Sequence, residues 1–421
     1  MAGRPELHKE ELQFRVTTPL YLGGADPTSE SDTRIYVRPI VAQWRWWFRA
    51  LAGGVFGTSD EGLKRVRAEE QRVFGGVHKV GEAPTGAMQF RVRLVEQKLN
   101  GALLDFPQRD PVMNYLGYGL GRTRDRGARF GIPPGSQFKL EVIASEETLQ
   151  LIHILNYFWV NFGGLGARQR RGLGSIEWIH PEENPTPQNG RGAREKREAF
   201  KELLDGSGEP RFGAIPEMPV VHAGWFRAKV AKASFSSWKD ALKAIRNQLR
   251  IEAPGRPCSG EHLGSRGFGY RQGDGERHKW KEQTSGRGFA YYPTRDKQEA
   301  WEIRQALQAR KSCTVNPLKN PLFGLPLVFS GWNLRITAYQ QQDSKEVEIR
   351  RPSPLSFRVF PTDSSYCKYG VIITYFKSRF IPENAHLRAV LARSGNCDVK
   401  HANWDYLDYF FDWCDGAEVA L

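Results

Sequence analysis

The stretch EETLQLIHILNYFWVNF, ending at Phe162, is a helix-length run that is apolar almost all the way round. A helix without a polar face has to be enclosed by other layers, so the chain must supply sheet and helix on more than one side of it. Ser145 ahead of Glu146 and Glu147 predicts its start, with an N-cap hydroxyl and acidic residues at the positive end of the helix. The flanking segments have the other periodicity. QFKLEVIA (residues 137–144) precedes it as a strand, and LGSIEWI follows it as another.

Further upstream, Leu12, Phe14 and Val16 alternate with polar residues as a half-buried strand does, and MQFRVRLVE repeats the pattern at Met88, Phe90, Val92 and Leu94. Between them, RPIVAQWRWWFRALAGG places Ile40, Trp44, Trp47, Phe48 and Leu51 on one helical face, with Gly53 and Gly54 as the expected stop and Arg45 and Arg49 on the remaining surface. Strand, helix, strand, strand, helix, strand is the split β-α-β order of a ferredoxin-like domain. The expected fold class is therefore α+β, with tandem ferredoxin-like (RRM-like) domains and long loop insertions. The expected boundaries are residues 1–180 for the first domain, a Pro-, Gly- and charge-rich linker at 181–212, and a decorated second domain at 213–421.

In the second half, HAGWFRAKVAKASF, FGLPLVFSG, LRITAYQQ, LSFRVFP and YGVIITYF predict strands. Ser237 and Asp240 predict a capping box for the helix WKDALKAIRNQLRIEA, and HANWDYLDYFFDWC predicts a closing helix. Residues 254–293 mix glycine with arginines, including Arg266 and Arg271, and with Phe268, Tyr270 and Trp280, as a long functional insertion would.

Lys and Arg number 61 against 47 Asp and Glu, a formal net charge of +14. Such an excess favours a polyanionic partner, nucleic acid first and an anionic membrane surface second. Arginine recurs with glycine and aromatics in three loops. GGLGARQRRGLGSI (163–176) carries Gly166, Arg168, Gln169, Arg170, Arg171 and Gly172, and YLGYGLGRTRDRGARFG carries Arg122, Arg124 and Arg126 beside Tyr115 and Tyr118. Single-stranded RNA, with bases free to stack and phosphates for guanidinium forks, fits that mixture better than a duplex or a membrane. The glycines of 163–176 follow a helix and precede a strand, the reverse of a Walker A or Rossmann loop, so no nucleotide cofactor is called for. They are expected to let RNA backbone approach while the arginines hold it. A tight structural turn is the competing possibility.

Five cysteines, odd in number and without a CxxC pair, predict neither a disulfide framework nor a zinc knuckle, and fit a reducing cytoplasm. The start, MAGRPELHKEELQF, has no apolar h-region, and no apolar run approaches about 18 residues, so neither a signal peptide nor a spanning helix is expected.

TPLYLGGADP, RPIVAQWRWWFRAL, YLGYGL followed by IPPGSQFKLEV, and GGLGARQRRGLGSI, in this order, make the chain resemble the RAMP superfamily. The tryptophan-rich helix makes it similar, within that superfamily, to RAMP subunits of Cmr (type III-B CRISPR) complexes. The resemblance implies a cytoplasmic, non-catalytic RNA-binding subunit in antiviral defence. Its implied partners are guide RNA, single-stranded target RNA and other RAMP subunits, with no cofactor, metal or membrane. It carries RNA contact onto Arg38, Arg45 and Arg49, and onto Arg168, Arg170 and Arg171; Trp46, between the helix arginines, is a further candidate for RNA contact. One departure is Ile40–Gln43, where the family commonly shows a small, basic, glycine-containing turn.

The alternative is a metal-independent endoribonuclease of guide-RNA processing. General acid-base cleavage needs groups within reach of the 2′-OH or leaving oxygen, and His8, Asp26, His78, Asp110 and Asp125 form no constellation in the sequence. Asp26 in GGADP is expected to serve its turn, and His153 to be a satisfied histidine of the apolar helix. Cys258 and His262 stand four apart, but among glycines that do not favour a helix.

Overall fold

The structure, a computed structural model, describes residues 6–76, 86–123, 126–179, 191–206, 208–249, 297–309, 325, 327–329, 334–342, 345–391, 395–400 and 405–421. In chain order these form β1 (His8–Val16), α1 (Val37–Phe56), α2 (Asp60–Phe74), β2 (Arg91–Lys98), β3 (Leu104–Asp105), α3 (Pro111–Leu116), β4 (Phe130–Gly131), β5 (Gln137–Ala144), α4 (Glu146–Phe162) and β6 (Ile176–Ile179). After them come α5 (Arg191–Leu203), β7 (Phe226–Ala231), α6 (Trp238–Leu249), α7 (Lys297–Gln308), β8 (Leu327–Phe329), β9 (Leu334–Gln342) and β10 (Lys345–Ile349). The chain ends with β11 (Leu355–Pro361), β12 (Tyr369–Phe376), β13 (Ala385–Leu391), β14 (Gly395–Val399), α8 (Asp405–Trp413) and β15 (Gly416–Glu418). The α+β class expected from periodicity holds. No helix among the described residues is long and apolar enough to cross a membrane.

Two compact units result, one of Met1–Leu242, Ser356–Phe376 and Gly416–Leu421, the other of Lys243–Leu355 and Lys377–Asp415. The first unit holds two four-stranded sheets, ordered β2-β5-β1-β6 and β11-β12-β7-β15. Both have the same internal logic: the strand first in sequence lies between the third and fourth, and the second is outermost beyond the third. All neighbours in the first sheet are antiparallel, with Phe14 opposite both Phe138 and Trp178. Leu12, Phe14 and Val16 point to one side, where Phe14 meets Trp159 of α4 at 5.5 Å between ring centroids.

α4 is buried along most of its length, as its composition demands, and Ser145 caps it by accepting from the Thr148 N–H. Its rings continue into the second sheet: Phe162 touches Phe226 of β7, Phe226 touches Phe376 of β12, and Phe376 touches Trp47 of α1. Helix α5, in the segment read from sequence as polar, also joins this core, with Phe200 fully buried against Phe48.

Three elements differ from the sequence expectation. α1 does not stop at Gly53 and Gly54 but runs to Phe56, and Gly57, at φ +80°, follows it. The glycine pair makes room for residues 218–221, which cross the helix. A β-carbon on Gly53 would lie 2.6 Å from the Met218 methyl and one on Gly54 only 2.2 Å from the Val221 carbonyl oxygen, while Val221 N–H donates to Ala50 O. The charged segment after α1 is the amphipathic helix α2, capped by Ser59. The short strand β15 closes the second sheet against β7.

The second unit has its own sheet, β10-β9-β13-β14 with β8 on β9. FGLPLVFSG and LRITAYQQ thus do hold strands, but β8 pairs with β9, and β9 with β10 and β13, rather than with LSFRVFP and YGVIITYF. Arg388 of β13 grips the Glu346 carboxylate with two nitrogens and Asp398 with a third. Cys397 on β14 is disulfide-bonded, which the absence of a disulfide framework in the cysteine spacing did not foretell, while Cys367 and Cys414 form no disulfide.

Candidate nucleic-acid interface

The glycine-rich segment 163–176 leaves α4 and folds back before entering β6. Its glycines are required by the turn itself. Gly166, Gly172 and Gly174 have φ of +81°, +83° and +63°, where a side chain is strained. A β-carbon on Gly174 would sit 1.9 Å from Leu165 O, and one on Gly166 2.7 Å from Tyr21 O. The loop is bonded to residues 19–21 through Ala167 N–H to Tyr21 O and Gly174 N–H to Pro19 O. Thr18 donates its hydroxyl to Gly172 O at 2.7 Å. Close approach there is consumed by the loop's own packing, which is the tight-turn alternative; what the loop presents outward are its arginines.

Those arginines connect the segments that the sequence singled out. Arg168, itself at φ +62° and exposed, donates to Tyr118 O, and Arg171 donates to Tyr115 O at 3.2 Å with its guanidinium 5.8 Å from that ring. Both carbonyls belong to the end of α3 or just beyond it, where a cation complements unsatisfied helix carbonyls. Arg170 lies 5.7 Å from the Trp46 ring, and its carbonyl accepts from Phe357 N–H of β11.

On α1 the buried stripe of Ile40, Trp44, Trp47, Phe48 and Leu51 turns Gln43, Trp46 and Arg49 toward the loop. They line, with Gln169, Arg170 and Ser356, a cavity of about 160 Å³. Trp46 is half-buried, its ring edge-on to Trp47 and Phe376. Arg45 and Arg49, one helical turn apart, converge on Glu70 of α2 at 3.1 and 2.9 Å, and Arg45 also donates to Gly75 O. Glu70, which cancels part of this charge, was not singled out from the sequence, because α2 carries few apolar residues among its charges. Arg38 is exposed in the first turn of α1, whose N-cap Tyr36 supplies no side-chain hydrogen bond and which has no acidic residue. That is the electrostatic setting in which a helix start accepts an anion.

Arg122 and Arg126 are exposed beyond α3, and Arg126 donates to Gly119 O. Arg124, Arg266 and Arg271 lie outside the described residues, as do His78, Asp125, Cys258 and His262. The structure therefore gathers Trp46, Arg49, Gln169 and Arg170 around one cavity and Arg168 and Arg171 at α3, while Arg38, Arg122 and Arg126 are exposed cations that do not line that cavity.

Also missed was Arg358 of β11. It is fully buried, donates to Asn161 Oδ1 at 3.3 Å and Ile176 O at 3.0 Å, and burial pulls its guanidinium down to about 10. Next to it, Val359 N–H donates to Ser175 Oγ. β11 thus holds the glycine-rich segment at Arg170 and at its two flanks, Asn161 on one side and Ser175 and Ile176 on the other.

The acid-base candidates have local duties. Asp26 accepts from the Thr28 N–H and hydroxyl, which hold its carboxyl below the usual range. Asp110 caps α3 through Val112 and Met113 N–H. His153 bonds Glu10 at 2.7 Å and packs edge-on to Trp178. Among the described residues no three His, Cys, Asp or Glu side chains gather as a metal site.

An α+β framework that presents an arginine-rich glycine loop beside a tryptophan-bearing helix is the class of protein defined here. Residues 13–177 match the model of the RAMP superfamily. Among curated proteins it is similar to the CRISPR system Cmr subunit Cmr1-2 of Pyrococcus furiosus, 29% identical over 186 residues that make up 41% of this chain and 95% of the relative. It is also 29% identical to Cmr1-1 of the same organism over 177 residues, 39% of this chain and 48% of that one. Among solved structures, the apo crystal structure of Pyrococcus furiosus Cmr1 has a like fold, with a TM-score of 0.51, 17% identity and 98% and 99% of the two chains covered.

Proposed function

We propose that this chain is a non-catalytic, RNA-binding subunit of a type III-B CRISPR effector complex, corresponding to the first RAMP subunit of the Cmr kind. In that role it contacts the 3′ region of the guide RNA, the target RNA, or both, beside other RAMP subunits in the cytoplasm. The observation that carries the reading is the meeting of α1 and the glycine-rich loop, which brings Trp46, Arg49, Gln169 and Arg170 to one cavity. The Cmr relatives point the same way. The repeated sheet order supports two ferredoxin-like domains, the second interrupted between α6 and β11 and again after β12. No described residue set favours guide-RNA cleavage, since Asp26, Asp110 and His153 are each committed elsewhere.

The test is single-stranded RNA binding by the Arg168→Ala/Arg170→Ala/Arg171→Ala variant across a salt series. Three lost phosphate contacts lower the slope of log affinity against log salt by about 2, at roughly 0.7 per contact on a single strand. An unchanged slope in a variant that melts like the parent overturns the assignment. So does cleavage of RNA by the purified chain, if mutation of Asp26 or His153 abolishes it.

A further inference from the structure

The first sheet has a second face, opposite α1 and α4, which the loop and tryptophan helix do not use. Across it Lys98, Gln137, Arg15 and Glu177 stand in one row on β2, β5, β1 and β6, because Lys98 pairs with Gln137, Gln137 with Arg15, and Arg15 with Glu177. Tyr366, from the turn between β11 and β12, lies over this row. Its ring centroid is 4.0 Å from the Arg15 guanidinium, and its hydroxyl donates to Glu177 Oε2 at 3.0 Å. Tyr366 holds a φ of +56°, a conformation unfavourable for a non-glycine residue. The side chain is thus fixed flat on Arg15 at the expense of local strain.

Beside the row is a cleft of about 500 Å³, lined among others by Arg15, Lys98, Asn100, Trp238, Tyr366 and Tyr369. The Arg15 Nε is buried without a hydrogen-bond partner among the described residues. Three aromatic rings line it, one of them already against a guanidinium, and a further planar ring stacks favourably on rings of this kind. The Asn100 amide, which donates to Pro134 O, and the Gln137 amide, which accepts from Gln13 Nε2, each have a further donor and acceptor position of the kind the edge of a base requires. Lys98 is exposed at the end of the row away from Glu177, about 14 Å off at three strand spacings of roughly 4.8 Å. An acidic peptide would use the cations but not the rings.

We infer that this cleft binds one nucleotide unit of single-stranded RNA, its base against the aromatic surface and its phosphate on Lys98 and Arg15, as a second contact separate from the glycine loop. The inference rests on the reading of the chain as an RNA-binding protein, and its test separates the two. The full chain is irradiated with a short thiouridine-bearing oligouridylate, the crosslinked peptides are mapped, and affinity is measured across a salt series.

Crosslinks at Trp238, Tyr366 or Tyr369 are expected. Lys98→Ala and Asn100→Ala, both at exposed positions, should weaken them severalfold, and Lys98→Ala should lower the salt slope by about 0.7. Crosslinks to α1 and the loop should persist in these variants, and the loop triple-alanine variant should show the converse. Loop crosslinks alone, with both cleft variants unchanged, overturn the cleft and leave the loop reading intact. No crosslink at either place overturns both. Uridine monophosphate binding as tightly as the oligomer in a Lys98-dependent way would assign the cleft to a free nucleotide, and a glutamate-rich peptide that binds there while the oligomer does not would assign it to protein; either result overturns the inference.

Discussion

Replacing Arg358 by alanine removes a guanidinium that is fully buried and holds β11 against α4 and β6. Two acceptors, Asn161 Oδ1 and Ile176 O, lose their donor, and each buried polar group left unpaired costs about 1–3 kcal/mol. The lost stem adds a few methylene groups at about 0.8 kcal/mol each. Against this stands relief from burying a cation, an opposing effect visible in the downward pull of burial on its ionisation. The balance is a loss of about 3 kcal/mol, which for a unit of this size lowers the melting temperature by roughly 6–12 °C.

Arg358→Met keeps most of the stem and should lose about half as much, since only the polar part of the cost remains. Thermal melts by circular dichroism give the two shifts. Hydrogen exchange locates them: Phe357 N–H, on Arg170 O, and Val359 N–H, on Ser175 Oγ, should lose protection before the amides of β5 do. A shift under about 2 °C for the alanine variant, on the same per-kilocalorie scale, would refute the reasoning. A methionine variant no more stable than alanine would refute the division between stem and head group.

Two other outcomes follow from the first unit. Glu141 on β5 is covered by Lys9 and Arg93, both 2.6 Å away, and these partners hold its carboxyl near 2. Because its folded value lies below the unfolded one, the stability it adds is present above about pH 4.5 and is lost as pH falls toward 2; melting curves of the parent and Glu141→Gln should differ at pH 7 and converge through that window. Gly54→Ala raises intrinsic helix propensity by up to about 1 kcal/mol, yet its β-carbon meets the Val221 backbone at 2.2 Å. Urea unfolding should therefore show net destabilisation of about 1–3 kcal/mol, and a stabilised variant would mean that residues 218–221 do not cross α1 as described.

Much of the first sheet and its two long helices was legible because their cores repeat at the periods of their backbones: Leu12, Phe14 and Val16 at two, Trp44, Trp47, Phe48 and Leu51 at the helical period. What escaped was decided by distant chain. Gly53–Gly54 looks locally like a helix stop, and only the crossing of residues 218–221 tells otherwise. The helix α2 has few apolar residues among its charges, so its pattern was weak. FGLPLVFSG and LSFRVFP are equally good strands by periodicity; that one pairs within the inserted sheet and the other beside β12 depends on register far along the chain. Arg358 reads as an outward residue of an alternating strand, but β11 is buried on both sides, and alternation then carries no information about exposure.

The arginine run was found by composition, but composition does not distinguish the duties of its members. Arg168 and Arg171 each spend donors on carbonyls at the end of α3, and Arg170 is set against Trp46 while its carbonyl pairs with β11. A guanidinium has five N–H donors in a rigid fork, so fixing it through one of them orients the whole group before any ligand arrives. Ordering a long side chain at binding otherwise costs about 0.5–1.5 kcal/mol, and here that ordering is already present in the unbound chain. A lysine ammonium is a point of charge at the end of a flexible stem; engaged on the Tyr115 or Tyr118 carbonyl, it keeps N–H donors but lacks the planar pair that matches two phosphate oxygens. On the proposed RNA reading the loop needs arginine for its geometry as well as its charge, and the glycines are what bend the backbone so that those forks reach their carbonyls.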